Sequence, residues 1–511
     1  MTASWGSSRP SLKRIMPRGT PSVIRPEAWR RARVMLLRFV VEPEKKVPVV
    51  YDVDVAVAGA GVSGVFAALA AARNGADTVL IDRFGTVGGN MGPGLIAGGS
   101  LTGWPMKHML GPGLGGFAGI PKEFIERHGA LGGGSIPPYS QNQYLRDSNV
   151  ASYVASKMLE ESGVKLMLSS YIADPVLEGN RTQGVFVENK SGRQAVRAKI
   201  VIDATGEADV ARRAGAPIIH PKTSYHEMDG HAPTGMGLFF AVGGVDWAEY
   251  NAFKRDQQKP AEEDLGWSRD VLGFVPPVHL LPLVRKAWES GESRIVQEID
   301  GLGSVRSGEL AGMDEGDGLA WGRIGPERRG EISAADGLHI SKLEAKVRMY
   351  IFETAQFWKR NVPGFGHSYL LCIAPFFGAR GGPCVEGEYT VTMDDVKAGR
   401  RFPDVLFIFD HIKPGGAYVG NWTDFPYRAM VPRKLDGLLA VGRSASCIPD
   451  TLLRGRMMVM HMGQAGGTAA ALAVKDRVSP RELDVKKLQK ALLEAGFYLG
   501  DGSRLRELGL A

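Results

Sequence analysis

The chain has 511 residues, 44% of them apolar and 23% charged, an ordinary globular composition with room for more than one domain. Its formal charge of +7 sits at one end: residues 1–50 hold eleven Lys and Arg against three Glu, so they carry +8 and the remainder −1. The body is thus neutral, the basicity belongs to the N-terminal extension, and no nucleic-acid partner is expected.

Residues 1–49 read as a basic extension, with EAWRRARVMLLRFV its most regular stretch. Arg-rich and acid-poor, it fits an organelle transit peptide, a short amphipathic helix on a membrane surface, or a segment packed on the body. No apolar h-region follows its early charges, so no signal peptide is expected. Cys372, Cys384 and Cys447 are odd in number and form no CxxC. They suggest neither a disulfide framework nor a cysteine zinc site, and no metal is expected; a reducing, cytoplasmic setting fits, with organelle targeting as the alternative.

The run VAVAGAGVSGVFAALAAA, Val55 to Ala72, is apolar enough to suggest a membrane helix, but Gly59, Gly61 and Gly64 break its first half. YDVDVAVAG before it alternates like a buried strand, VFAALAAARNG reads as a helix closing at Gly75, and DTVLIDR is a second strand ending in Asp82. Strand, glycine turn, helix and strand frame Gly59-x-Gly61-x-x-Gly64 as a dinucleotide fingerprint, so no membrane span is expected. Gly59 serves the tight turn, Gly61 a close approach to pyrophosphate, and Gly64 helix packing. Val62 and Ser63 open the helix, whose free amides suit phosphate, and Asp82 sits where a carboxylate accepts ribose hydroxyls.

DRFGTVGGN then brings Arg83, Gly88, Gly89 and Asn90, a second phosphate-side turn. GPGLGGFAGIPKE, from Gly111, is a glycine-rich loop entering a helix. A meander turns at Gly179-Asn180 and Ser191-Gly192 and ends in the strand KIVIDATG at Ala204-Thr205-Gly206. LDGLLAVGRSAS supplies a late strand ending at Gly442-Arg443, and GQAGGTAAALAVK a helix expected to start at Gly463.

These parts resemble the glutathione-reductase-like FAD fold and, within it, the FAD-dependent oxidoreductase family, over roughly residues 50 to 495. The matching stretches are VIDATGEADVARRAGAP, VEGEYTVTMDDVKAGRRFPDV, PYRAMVPRKLDGLLAVGR and GQAGGTAAALAV. The resemblance implies a Rossmann-like α/β FAD-binding domain, discontinuous over 50–207 and 363–495, with an inserted α+β substrate domain at 208–362 and a tail at 496–511. It gives Gly59, Gly61, Gly64, Asp82, Arg83, Gly88 and Gly89 to the ADP half of FAD, backbone near Ile172 to adenine, and Ala204, Thr205 and Gly206 to the cofactor lining. Gly442, Arg443, Gly463 and Gln464 fall at the flavin end, where a helix N-terminus would steady the charge of reduced flavin.

In the expected substrate domain GMGLFFAVGGVD reads as a strand, and SKLEAKVRMYIFETAQFWKR as an amphipathic helix with Leu343, Val347, Ile351 and Ala355 on one face. No second strand–GxGxxG–helix unit appears, which argues against a built-in NADPH site. The Gly-Asp pair of aromatic hydroxylases is replaced by Gly442-Arg443. What remains is hydride transfer between flavin and a small polar organic substrate, with oxygen or an external carrier as electron acceptor. The alternatives are a flavin monooxygenase and an RNA-binding, tRNA-modifying flavoprotein. Histidine suits the proton step, and His411 (in FIFDHIKPGG) and His461 (in RGRMMVMHMGQAGG) hold useful addresses. Arg454 matches a family arginine suited to clamping a carboxylate. Arg380 matches another, but Gly381-Gly382 follow where the family carries polar residues.

Overall fold

The computed structural model describes residues 40–95, 118–133, 144–219, 236–256, 260–272, 277–292, 296–299, 303–306, 310–314, 319–326, 334–379, 382–409, 421–448, 452 and 455–511. The chain divides into two compact units, Met1–Lys46 and Val47–Ala511. Of the first, residues 40–46 are described and carry no regular secondary structure. All that follows concerns the second.

The fold is mixed α/β around a sheet of parallel strands. In chain order its elements are β1 (Val49–Ala58), α1 (Val62–Arg73), β2 (Thr78–Ile81), α2 (Gly119–Ala130), α3 (Tyr144–Glu161), β3 (Lys165–Met167), β4 (Tyr171–Glu178), β5 (Arg181–Asn189) and β6 (Gly192–Asp203). The expected strand, helix and meander boundaries fall within a few residues of these. Strand order is β3-β2-β1-β6, all parallel, and β6 continues through antiparallel partners to β5 and β4. Ala58 lies level with Ile81 on one side and with Asp203 on the other. The carboxyl ends of the central strands therefore form one edge, where open α/β sheets place their ligands.

The Val- and Ile-rich strands are buried on both faces, as parallel strands require. Val55, Val57, Leu80, Ile200 and Ile202 face a core built with α1. Ala56, Ala58, Val79, Ile81 and Val201 face the meander residues Val185, Val187 and Val196. The two-residue period of a strand produces this division.

After the short helix α4 (Asp209–Arg213), β7 (Met236–Gly243) centres a second, antiparallel sheet. It pairs with β8 (Leu319–Pro326) and with β9 (Tyr369–Ile373). Against this sheet lies α5 (Gly337–Asn361), capped by Asp336, whose carboxylate accepts the amides of Leu338 at 2.9 Å and His339 at 3.1 Å. Leu343, Val347, Ile351 and Ala355 are buried along α5 as their spacing predicts, and Trp358 stacks on Phe240 with centroids 5.6 Å apart.

The chain then returns to the first sheet. β10 (Leu438–Ala440) adds a parallel strand beside β6, with Ala440 level with Asp203. α6 (Arg456–Asp476) crosses α1 so closely that Cβ atoms on Gly463 and Gly467 would overlap the carbonyl oxygens of Ser63 and Ala67. Residues 496–511, expected as a tail, contribute Phe497, Leu499 and Leu508 to the main core. Arg504 in this segment reaches the wholly buried Asp424 at 3.0 Å. Among the described residues no helix is long and apolar enough to cross a membrane.

Candidate functional site

At the shared strand edge the three fingerprint glycines divide their work. Gly59 takes φ +100°, donates its amide to Ile81 at 2.8 Å, and leaves no room for a side chain, since a Cβ would sit 2.7 Å from the Ala204 oxygen. A Cβ on Gly64 would overlap the Gly59 oxygen. Gly61 is different: a Cβ there would meet nothing within 4 Å. The loop is thus packed on both flanks and open at its middle glycine, the form an incoming phosphate requires. Gly61 caps α1 without a side-chain bond, and the first turn holds no acidic residue. The amides of Val62, Ser63 and Gly64 therefore sit at the partly positive end of the helix.

Asp82 braces this loop. One carboxylate oxygen accepts the Ala60 amide at 2.6 Å and the other the Phe84 amide at 2.8 Å. Burial pushes its pKa up, against the pull of those two amides. Each oxygen keeps a further lone pair for a ribose hydroxyl. Next to it, the Arg83 guanidinium lies over Phe84, 4.7 Å from the centroid, and Phe84 stacks on Phe376. The second glycine turn folds back onto the first. Gly88 donates its amide to Ala60 at 2.8 Å, and a Cβ on Gly89 would come within 2.7 Å of Gly61 Cα. Asn90 follows with Oδ1 buried and without a hydrogen-bond partner among the described residues. The Ile172 carbonyl, on the meander, accepts Arg213 Nη1 at 2.7 Å.

Ala204, Thr205 and Gly206 continue from β6 against the fingerprint, with Ala204 donating to Ala58 at 2.9 Å. Gly442, at φ +66°, lies against Ser63, where a Cβ would be 3.1 Å from Ser63 Cβ. Arg443 forms a short ion pair with Glu207. Burial raises the Glu207 pKa, while Arg443 pulls it down.

One expectation at the flavin end needs correction. The helix begins at Arg456 rather than Gly463, because Met457, Met458, Met460 and Met462 are buried helical residues that extend it by two turns. Gly463 is therefore an interior packing glycine, and no helix N-terminus lies there. The Gln464 carboxamide is also engaged, accepting the Ile120 amide at 2.8 Å.

His461, 1% exposed, is tied at both ring nitrogens. Nδ1 meets the Met457 carbonyl at 2.7 Å and Nε2 accepts the Ala118 amide at 3.1 Å. Burial lowers its pKa from 6.5 to about 4. A neutral imidazole so held supports the entry to α2, and this geometry leaves it no nitrogen for substrate. His411, Arg454 and Arg380 lie outside the described residues.

The sequence reading missed three side chains here: Asp203, Glu207 and Ser444. Asp203 carried one signal, an acid closing an otherwise apolar strand. Ser444 and Glu207 carried none, because their partners lie far along the chain. Among the described residues no group of His, Cys, Asp and Glu is placed to hold a metal ion.

The chain is similar to known proteins to differing extents. The family model described as FAD dependent oxidoreductase matches residues 54–492. A thiamine thiazole synthase from Pyrococcus horikoshii is 28% identical over 176 residues, 32% of this chain. The chain spans 60% of that relative's length. Among solved structures, a geranylgeranyl bacteriochlorophyll reductase-like protein from Thermoplasma acidophilum aligns with 14% identity and a TM-score of 0.36, covering 90% of this chain and 99% of its own. The myxobacterial chondrochloren halogenase aligns with 12% identity and a TM-score of 0.40, covering 86% and 78%. The family match runs from the first parallel strand past the α1–α6 crossing, so it takes in the glycine loop, the acid that braces it and the strand ends around them: the chain belongs to the FAD dependent oxidoreductase family.

Proposed function

We propose that this enzyme transfers hydride between a small polar organic substrate and FAD, on a glutathione-reductase-type FAD domain that an α+β substrate domain interrupts. The observation that carries the reading is the glycine loop, filled at Gly59 and Gly64 and open at Gly61. Asn90 Oδ1 and Arg443 Nη1, both buried and without a hydrogen-bond partner among the described residues, also suit a polar cofactor. Gly61, the first turn of α1 and the Gly88-Gly89 turn would hold the diphosphate, and Asp82 the ribose. Ala204 to Gly206 and Gly442-Arg443 would line the remainder, with Ile172 on the adenine side.

FAD, when bound, supplies the hydride chemistry, leaving the protein to bind, orient and handle one proton. Since His461 is neutral and tied at both nitrogens, the proton falls to His411. Arg454 orients a substrate carboxylate, and the sheet centred on β7 supplies the wall facing the substrate.

The test is a visible spectrum of the purified protein, then anaerobic dithionite and readmitted air. Flavin bands that bleach support the cofactor, and their rapid return favours oxygen as acceptor over an external carrier. A colourless protein that does not take up added FAD overturns the proposal. His411→Ala should keep the flavin and lose turnover; normal turnover in that variant would remove the proton assignment.

A further inference from the structure

Behind the site, one carboxylate and two hydroxyls join three turns, and the reading above gives none of these groups a task. Asp203, wholly buried at the end of β6, accepts on Oδ1 the Thr205 amide at 3.1 Å, Thr205 Oγ1 at 2.7 Å and Ser444 Oγ at 3.3 Å. Its Oδ2 accepts the Ala211 amide at 2.9 Å. Thr205 Oγ1 in turn accepts the Asp209 amide at 2.9 Å. Ser444 Oγ accepts the amides of Gly206 and Ala208, both at 3.1 Å. With one bond donated and two accepted, the Ser444 hydroxyl is saturated.

The residues this network grips are specific. Gly206 and Ala208 flank Glu207, and Ser444 directly follows Arg443. The backbone is therefore fixed on both sides of one member of the ion pair and immediately after the other. Ala208 holds φ +52°, a left-handed conformation that an alanine keeps only where its surroundings impose it. The Ser444 bond to its amide is such a constraint. The Arg443 guanidinium in turn lies against Gly206, where a Cβ would come within 2.8 Å of Nη2, and near Gly382, whose Cβ position is 3.8 Å from Nη1. Glu207 takes Nη2, while Nη1 is buried with no hydrogen-bond partner among the described residues. A fixed guanidinium with an unspent N–H is a donor for an anionic oxygen. The turn it crosses, Ala204 to Gly206, packs on Gly59 at the start of the phosphate-facing loop.

We propose that Asp203 and Ser444 are positioning residues that hold the Glu207–Arg443 pair so that Arg443 donates to the diphosphate of FAD. The proposal rests on the FAD site described above and moves Arg443 from the flavin end to the phosphates.

The test titrates flavin-free protein with FAD and, separately, with riboflavin, which lacks phosphate, following flavin fluorescence. Arg443→Met should weaken FAD about tenfold or more and leave riboflavin within about twofold. Ser444→Ala should weaken FAD about fivefold with riboflavin unchanged, and Ser444→Thr, which restores a hydroxyl, should recover most of the loss. The double variant Ser444→Ala/Arg443→Met should bind FAD no worse than Arg443→Met alone, because the hydroxyl acts through the arginine.

Equal losses of FAD and riboflavin in Arg443→Met would return the arginine to the flavin end and overturn the proposal. So would a Ser444→Ala protein that melts lower with its FAD-to-riboflavin ratio unchanged, or additive effects in the double variant. If Ser444→Ala does not fold, Glu207→Gln asks the same question: a selective loss of FAD supports the proposal, and unchanged FAD affinity overturns it. Wild-type protein that binds neither flavin fails the cofactor reading itself, a result distinct from all of these.

Discussion

Consider Gly467→Ala, in the middle of α6. On propensity alone the change should stabilise, since alanine is favoured over glycine in a helix interior by about 1 kcal/mol. The crossing with α1 opposes it. The new Cβ would overlap the Ala67 oxygen, lie 2.8 Å from the Ala67 carbonyl carbon and 2.9 Å from Ala70 Cβ. Two of these three atoms are backbone and cannot rotate away, so the helices must separate. Overpacking of this kind costs about 1–3 kcal/mol, and with immobile neighbours the upper half of that range applies. The net expectation is a loss of about 1–2 kcal/mol. Gly266→Ala is the control, because Gly266 is also helical and a Cβ there meets nothing within 4 Å. It should gain about 0.5–1 kcal/mol. Urea unfolding followed by tryptophan fluorescence should move the two midpoints in opposite directions. A Gly467→Ala protein as stable as wild type would show that the crossing is looser than described, and the packing account of the glycines in α6 would fall with it.

Three further outcomes are expected. Gly61→Ala should leave the melting temperature of flavin-free protein unchanged, because its Cβ enters open space, yet weaken FAD about tenfold or more; unchanged FAD affinity would place the phosphates elsewhere. His461 is held neutral with its pKa lowered to about 4, whereas the unfolded chain takes up a proton near 6.5. Stability should therefore fall by about 3 kcal/mol as pH drops from 6.5 to 4. His461→Gln should flatten that part of the urea-midpoint profile, and an identical slope in the variant would refute the assignment. Arg504→Met removes one of the donors to buried Asp424, which also accepts the Phe402 amide and Arg401 Nη1, both at 2.8 Å. A loss of about 1.5–3 kcal/mol is expected in the same assay, and none would show that the Arg504–Asp424 bond does not help to anchor this segment.

The glycine-loop half of the candidate site was legible because its determinants are local. The alternation before Ala58, the three glycines, the alanine-rich helix and Asp82 all fall within 34 residues, Tyr51 to Phe84, and each acts through its own backbone conformation. The flavin end was read less well. MMVMHM, Met457 to Met462, is apolar but for His461, so periodicity gives no starting point, and the GQAGG glycines resemble a turn although they serve a helix crossing. His461 looked available because its partner, Ala118, is 343 positions away. Likewise Ser444 gives no hint of Gly206, 238 positions away. Hydrogen bonds of this kind follow from topology, and a pattern read along the chain cannot contain them.

The position of β10 in the parallel sheet bears on how the protein is made. β10 pairs with the end of β6 although about 235 residues separate them. At a synthesis rate of roughly 5–20 residues per second, the nascent chain waits on the order of 10–50 s between the two strands. Throughout that interval the last residues of β6, Val201 to Asp203, lack a partner on one side, and the face of α1 that α6 will cover is bare. Both are surfaces that chaperones hold and that aggregation exploits. The half of the candidate site most easily read in the sequence thus emerges from the ribosome first and must be sheltered until the other half arrives.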